Sequence, residues 1–160
     1  MRAGSDGMLD EPSLSRQWVA RRLQRALSME RWCGPLREGF GRQRSKTGEI
    51  LRKHGASAAD RAHSLESLIR GIGSEPYRST GVGAHAARLG GRVVSFTGTA
   101  LTLRLAGMIA EQTLSEYQTL EAFVHDAPGI DPEVGNAILP LHTLAAEELD
   151  ELGPDADSRL

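Results

Sequence analysis

What the chain lacks narrows its class first. It carries a single cysteine, Cys33. One cysteine cannot build an intramolecular disulfide framework, a four-cysteine zinc site or a rubredoxin-type iron site. Aromatic residues make up 4% of the sequence, against 39% for hydrophobic residues as a whole. The core must therefore be filled by Leu, Ala, Val and Ile, which favours packed helices over a β-sandwich. No alternating strand pattern runs longer than a few residues. Charge of one sign is also missing: the formal net charge is −2, so no global positive field points to nucleic acid. Met1 to Pro12 is polar and Gly-rich without an apolar centre. It does not read as a secretory signal, and a cytoplasmic protein is the expectation.

What is present is helical periodicity. The 160 residues suffice for one domain with a real core. Ser13 is placed to cap a first amphipathic helix, in which Leu14, Trp18, Leu23, Ala26, Leu27 and Glu30 recur at spacings of three to five. Gly34-Pro35 predicts a kink or break. The polar stretch Gly41 to Gly48 reads as a turn. A second helix is expected from about Glu49 to Ile72, closed by Gly73-Ser74-Glu75-Pro76. Tyr77 to Gly91 is Gly-rich and takes no clear assignment. Val93 to Ala110 is apolar except for Ser, Thr and Arg104, and the pattern continues to Val124 as one long helix. Its apolar part approaches membrane-span length, but Arg104 and the many Thr and Gly argue against a span. A buried helix resting on a membrane surface fits better. Asp131 and Pro132 open a last helix, which Gly153-Pro154 stops.

These elements predict an all-α, antiparallel four-helix bundle over residues 13–153, with a flexible segment at 1–12 and a flexible tail at 154–160. Arg16 to Lys53 is basic and Glu133 to Asp157 acidic. The simplest reading is two helical segments of opposite charge that face each other or solvent.

Counting from the turns brings acids to common heights. Glu30 and Asp60 are equidistant from Ser45, and Glu111 and Glu147 from Gly129. At 1.5 Å per residue they lie roughly 22 Å and 27 Å from their turns. Asp60 and His63, three residues apart, share a helix face. Glu148 neighbours Glu147, and Asp150 and Glu151 follow each of these by three. Buried carboxylates repel and are costly to desolvate unless cations compensate. Glu30, Asp60, His63, Glu111, Glu147, Glu148, Asp150 and Glu151 are therefore the candidate metal ligands. Glu111, inside an apolar helix, is the least comfortable of them as a surface acid.

The run Glu49-Ile50-Leu51-Arg52, Asp60-Arg61-Ala62-His63-Ser64-Leu65 and Gly73-Ser74-Glu75-Pro76 resembles the second helix and exit of ferritin-like proteins. Thr99-Ala100-Leu101, Glu111, Tyr117 and Glu147-Glu148-Leu149-Asp150 are similar to the third and fourth helices of the demethoxyubiquinone hydroxylase branch. The resemblance covers roughly residues 30–152. It implies a ferritin-like fold, two iron ions with manganese as a substitute, dioxygen activation, a quinone-like small-molecule substrate and contact with a membrane surface. A homodimer is compatible with it. Two departures stand out. Asp60 occupies a position where the family has Glu, and no histidine follows Glu147 or Glu148 by three.

Each residue also has a plain structural reading. Glu30 can be a solvated acid beside Arg31, and Ser57 with Asp60 resembles a capping box. Glu147, Glu148, Asp150 and Glu151 can form a solvated acidic face, while Trp18 and Tyr117 pack. The leading expectation is a di-iron carboxylate oxidoreductase of hydroxylase type. Its rival is a non-catalytic helical bundle acting as an interaction or stress protein, with the carboxylates exposed or bridged by arginines such as Arg61 or Arg104. An iron-storage protein would further need assembly into a shell.

Overall fold

A computed structural model describes residues 11–42, 44–78 and 81–152. The chain forms α1 (Glu11–Phe40), α2 (Lys46–Gly71), α3 (Gly81–Ser95), α4 (Thr99–Asp126) and α5 (Pro132–Leu152). The described residues contain no strand, so the all-α class expected from the composition is observed. No helix among them is long and apolar enough to cross a membrane.

The turns follow local chemistry. Ser45 is extended, and its Oγ accepts from the Gly48 N–H at 3.1 Å. This satisfies an orphan donor of the first turn, and α2 begins at Lys46, earlier than Glu49. Gly73 adopts φ +80° at the end of α2. The Gly73 and Ser74 N–H groups donate back to the Arg70 and Ile69 carbonyls, each at 3.0 Å, which closes the helix end. Gly129, at φ +75°, lies between α4 and α5. Asp131 Oδ1 then accepts from the Glu133 N–H at 2.9 Å, with Pro132 at the first position of α5.

Three expectations are corrected. α1 runs unbroken through Gly34-Pro35. Proline costs a helix interior about 3 kcal/mol, but the two halves of α1 are anchored at either end of the molecule, by Val19, Leu23 and Leu27 and by Phe40. Their burial outweighs the local penalty. The single long helix expected from Val93 is split at Phe96-Thr97-Gly98. Ser95 and Thr97 hydroxyls donate to the Arg92 and Val94 carbonyls at 2.7 and 2.6 Å, and Gly98 takes φ +121°. Such local bonds compete with helix continuation. The unassigned Gly-rich stretch becomes α3, making five helices among the described residues where four were expected. Gly91 serves close approach: a Cβ on Gly39 of α1 would lie 2.9 Å from the Gly91 Cα of α3. At the other end α1 starts at Glu11, ahead of Ser13. The expectations for residues 1–10, the stop at Gly153-Pro154 and the tail lie outside the described residues.

Partner residues occur in opposite order along α1 and α2: Glu30 meets Arg61, Gly34 meets Ala58, and Gly41 meets Arg52. The same holds for α4 and α5, where Glu121 meets His142 and Val124 meets Gly135. α3 packs along α1. Two apolar clusters result. One joins α1, α2, α4 and α5 through Leu23, Leu27, Leu65, Ile69, Tyr117, Leu120, Ile138 and Leu141. The other gathers Phe40, Leu51, Leu103, Ala106 and Leu152, with Val94 packed against them. Between them lies a layer of buried charge.

Candidate functional site

The charged residues of the layer come from the inward stripes of three helices, and α4 adds Tyr117 and Thr113. On α1 the stripe passes through Leu23, Leu27, Glu30, Gly34, Arg37 and Phe40. On α2 it passes through Leu51, Ala58, Arg61, Leu65 and Ile69, and on α5 through Ile138, Leu141, Ala145, Glu148 and Leu152. Charged residues thus occupy core positions of otherwise apolar stripes. Glu30 is 1% exposed, and Arg37, Arg61 and Glu148 are 0% exposed.

Arg61 is the hub. Its Nε donates to Glu30 Oε1 at 2.6 Å and its Nη2 to Glu30 Oε2 at 3.1 Å. The same Nη2 donates to Glu148 Oε2 at 2.9 Å, and Nη1 donates to Ser57 Oγ at 3.1 Å. Tyr117 Oη from α4 donates to Glu30 Oε1 at 2.9 Å. Arg37 pairs with Glu148 Oε1 through Nη2, which also donates to Thr113 Oγ1 at 3.3 Å. Two guanidiniums face two carboxylates, so the formal charge cancels. Three of the four carboxylate oxygens accept hydrogen bonds, and Glu148 Oε1 is held only by its ion pair with Arg37. Arg37 Nε and Nη1 are buried without a hydrogen-bond partner among the described residues.

The environment fixes the protonation states around the hub. Burial alone would lower the Arg61 pKa, but the charge and hydrogen bonds of Glu30, and then Glu148, push it above its ordinary value. Burial, and then the Glu30 charge, push the Tyr117 phenol well up, so it stays a neutral donor. Half-buried Cys33 is pushed up to about 11 by burial, opposed by Arg37 and reinforced by Glu30 and Glu148. It is a thiol, not a nucleophilic thiolate, at neutral pH.

The residues expected to ligate metal are separated. Glu30 and Glu148 meet at Arg61. Asp60, His63, Glu111, Glu147 and Asp150 are exposed. Glu151 is half-buried at the rim, where Lys53 Nζ donates to Oε1 at 2.7 Å and His54 Nε2 lies 2.9 Å from Oε2. The lysine's hydrogen bond, ahead of the histidine's, holds the Glu151 carboxyl below its ordinary range. The interior layer expected of Glu30, Asp60, His63 and Glu111 is formed instead by Glu30, Arg61, Glu148 and Arg37.

The reason is angular. Distance from a turn sets height, but successive helix positions differ by about 100°. Asp60 neighbours inward Arg61, Glu111 neighbours inward Ala110, and Glu147 neighbours inward Glu148; each is one residue out of phase. The donors expected for two iron ions therefore do not fit the geometry. Among the described residues no group of three or more His, Cys, Asp or Glu side chains is arranged to hold a metal ion, and no catalytic step through such a centre follows.

One participant was not anticipated: Arg37 was legible as a charged residue seven positions after Glu30 on the same stripe. Glu116 of α4, 9% exposed, pairs with Arg25 Nε at 3.1 Å, outside the layer. Arg104, the other arginine weighed as a bridge, is exposed. His142 pairs with Glu121 at 2.6 Å, away from the layer. No protein-family model matches this chain, and no curated protein or solved structure does either.

Proposed function

We propose that the chain is a ferritin-like four-helix bundle, with α3 as a helical crossover, that works as a non-catalytic interaction scaffold. The observation that carries this reading is the engagement of both buried carboxylates by Arg61 and Arg37. The acid oxygens that two iron ions would need are already compensated by guanidinium groups, with Tyr117 donating a further bond. Such a layer gives the core a fixed register, a role buried polar groups play in some proteins. The topology supports the fold part of the proposal. α1 and α2 are antiparallel, α4 and α5 are antiparallel, and the link between the pairs returns along α1 as α3. A single long crossover is the connection ferritin-like bundles use.

Anaerobic titration of the purified protein with iron(II) and manganese(II), followed by calorimetry and by metal analysis of the dialysed sample, tests this. The expected result is no uptake tighter than about millimolar. Two equivalents bound tightly, and lost in Glu30→Gln and in Glu148→Gln, would overturn the scaffold reading and restore the di-iron oxidoreductase.

A further inference from the structure

From Pro76 to Ala110 the sequence holds four arginines and His85 but no Asp or Glu. This stretch covers the end of the loop after α2, all of α3 and the first part of α4. α3 is apolar on two sides. Ala87 and Gly91 are buried on the side packed against α1. On the opposite side Val82, Leu89 and Val93 fall within an arc of roughly 40° at helical spacing. They are 77%, 45% and 66% exposed. Phe96 follows at the exit of the helix and is 85% exposed. Leu101 and Met108 of α4 are exposed as well, with Arg104 on the same face.

More positive charge lies at the same end of the molecule. Phe40, Leu51, Leu103 and Val94 meet in one apolar cluster, so the α1–α2 turn and the α3–α4 turn are neighbours. The first of these turns carries exposed Arg42, Arg44 and Lys46.

We propose that this end of the protein docks on an anionic lipid surface. Phe96 and Val93 enter the boundary between headgroups and acyl chains. Leu89 and Val82 lie along the interface, and Arg42, Arg44, Lys46, Arg92 and Arg104 hold acidic headgroups. An apolar ridge bordered by cations has the chemistry of an interfacial anchor. Shape favours lipid over protein, because Phe96 projects from a turn. The four apolar residues expose roughly 500 Å² together, at the upper range for the largest patch on a monomer. A second copy of the chain docked on this face would also bring like charges together, whereas a fluid anionic bilayer needs neither a groove nor a minimum area. The proposal uses surface side chains outside the buried charged layer. It stands or falls separately from the reading of the buried charged layer.

Sedimentation of the full chain with lipid vesicles tests it, with folding checked by circular dichroism. Vesicles of phosphatidylcholine with about 30% phosphatidylserine should pull down the protein, and pure phosphatidylcholine should not. Binding should be lost on raising salt to about 0.5 M. Phe96→Ser should weaken binding about tenfold by removing one inserted aromatic side chain. Phe96→Trp should keep binding and show a blue-shifted emission component absent from the wild type, whose Trp18 and Trp32 both lie on α1. No binding to the acidic vesicles overturns the proposal. So does unchanged binding by a Val93→Ser/Phe96→Ser double variant, which would leave a purely electrostatic contact. A lack of vesicle binding together with concentration-dependent dimers that the double variant abolishes would assign the face to protein association instead.

Discussion

Replacing Arg61 by methionine should be the most damaging single change to the charged layer. Arg61 donates two bonds to Glu30, one to Glu148 and one to Ser57. Without it Glu30 keeps only the Tyr117 hydroxyl, and Glu148 keeps only Arg37. One negative charge is then uncompensated inside the core. Removing one partner of a buried ion pair costs about 3–5 kcal/mol, because the other charge stays desolvated. In a domain of this size each kcal/mol moves the melting temperature by about 2–4 °C, so Arg61→Met should melt about 6–20 °C below the wild type. Two further variants separate charge from packing. Glu30→Gln in the Arg61→Met background should recover much of the loss, since it removes the orphaned charge. Replacing Glu30 and Glu148 by leucine together with Arg37 and Arg61 by methionine should be neutral or stabilising, as apolar substitutes for buried ion pairs often are. Urea titration at neutral pH with thermal melts in parallel measures all three. If Arg61→Met falls within about 0.5 kcal/mol of the wild type, Arg61 is not a buried hub of the charged layer.

Gly91→Ala should pry α3 from α1, because its Cβ would meet the Leu36 carbonyl oxygen and lie 3.0 Å from Gly39 Cα. Alanine adds about 1 kcal/mol of helix propensity, yet amide exchange in α3 should speed up; slower exchange would refute the close crossing. His54 should make stability pH-dependent. Burial, opposed by Glu148 and Glu151, lowers its pKa from 6.5, so the folded state disfavours the charged ring that the unfolded chain accepts. Its contribution is complete above pH 6.5 and is lost as the pH falls through the lowered value. His54→Leu should flatten that part of the stability profile, and an unchanged slope would assign it to another group. Cys33 should alkylate more slowly in the native protein than in urea at neutral pH, and faster as the pH approaches 11. Equal native and unfolded rates would show that the thiol is not held down by burial.

Much of the backbone was legible in the sequence because its signals are local. Gly73 at the end of α2, Gly129 between α4 and α5, and Asp131-Pro132 at the start of α5 act through their own dihedral preferences and nearest hydrogen bonds, whereas Ser45, which caps α2 at Lys46, lay inside the stretch read as a turn. The helical class followed from a core with few aromatics and no alternation. Pro35 and the Val93–Val124 run were misread for opposite reasons. Pro35 is a strong local breaker overruled by burial at both ends of α1. At Phe96–Gly98 an apolar run is interrupted by serine and threonine bonds to the backbone.

The site was half legible. Counting from Ser45 put Glu30 level with the Asp60–Arg61 stretch of α2, because axial rise is constant along a helix. It did not find the phase. Which of two neighbouring residues points inward depends on how each helix is rotated about its axis, and that rotation is set by packing against the other helices. Rotation placed Arg61 inside and Asp60 outside, Ala110 inside and Glu111 outside, and Glu148 inside and Glu147 outside. The compensation of the buried acids was likewise a tertiary decision. The sequence by itself determined that Glu30 and Glu148 would need positive charge if buried. Only the assembled helices brought the guanidiniums of Arg61 and Arg37 from other turns of the chain to supply it.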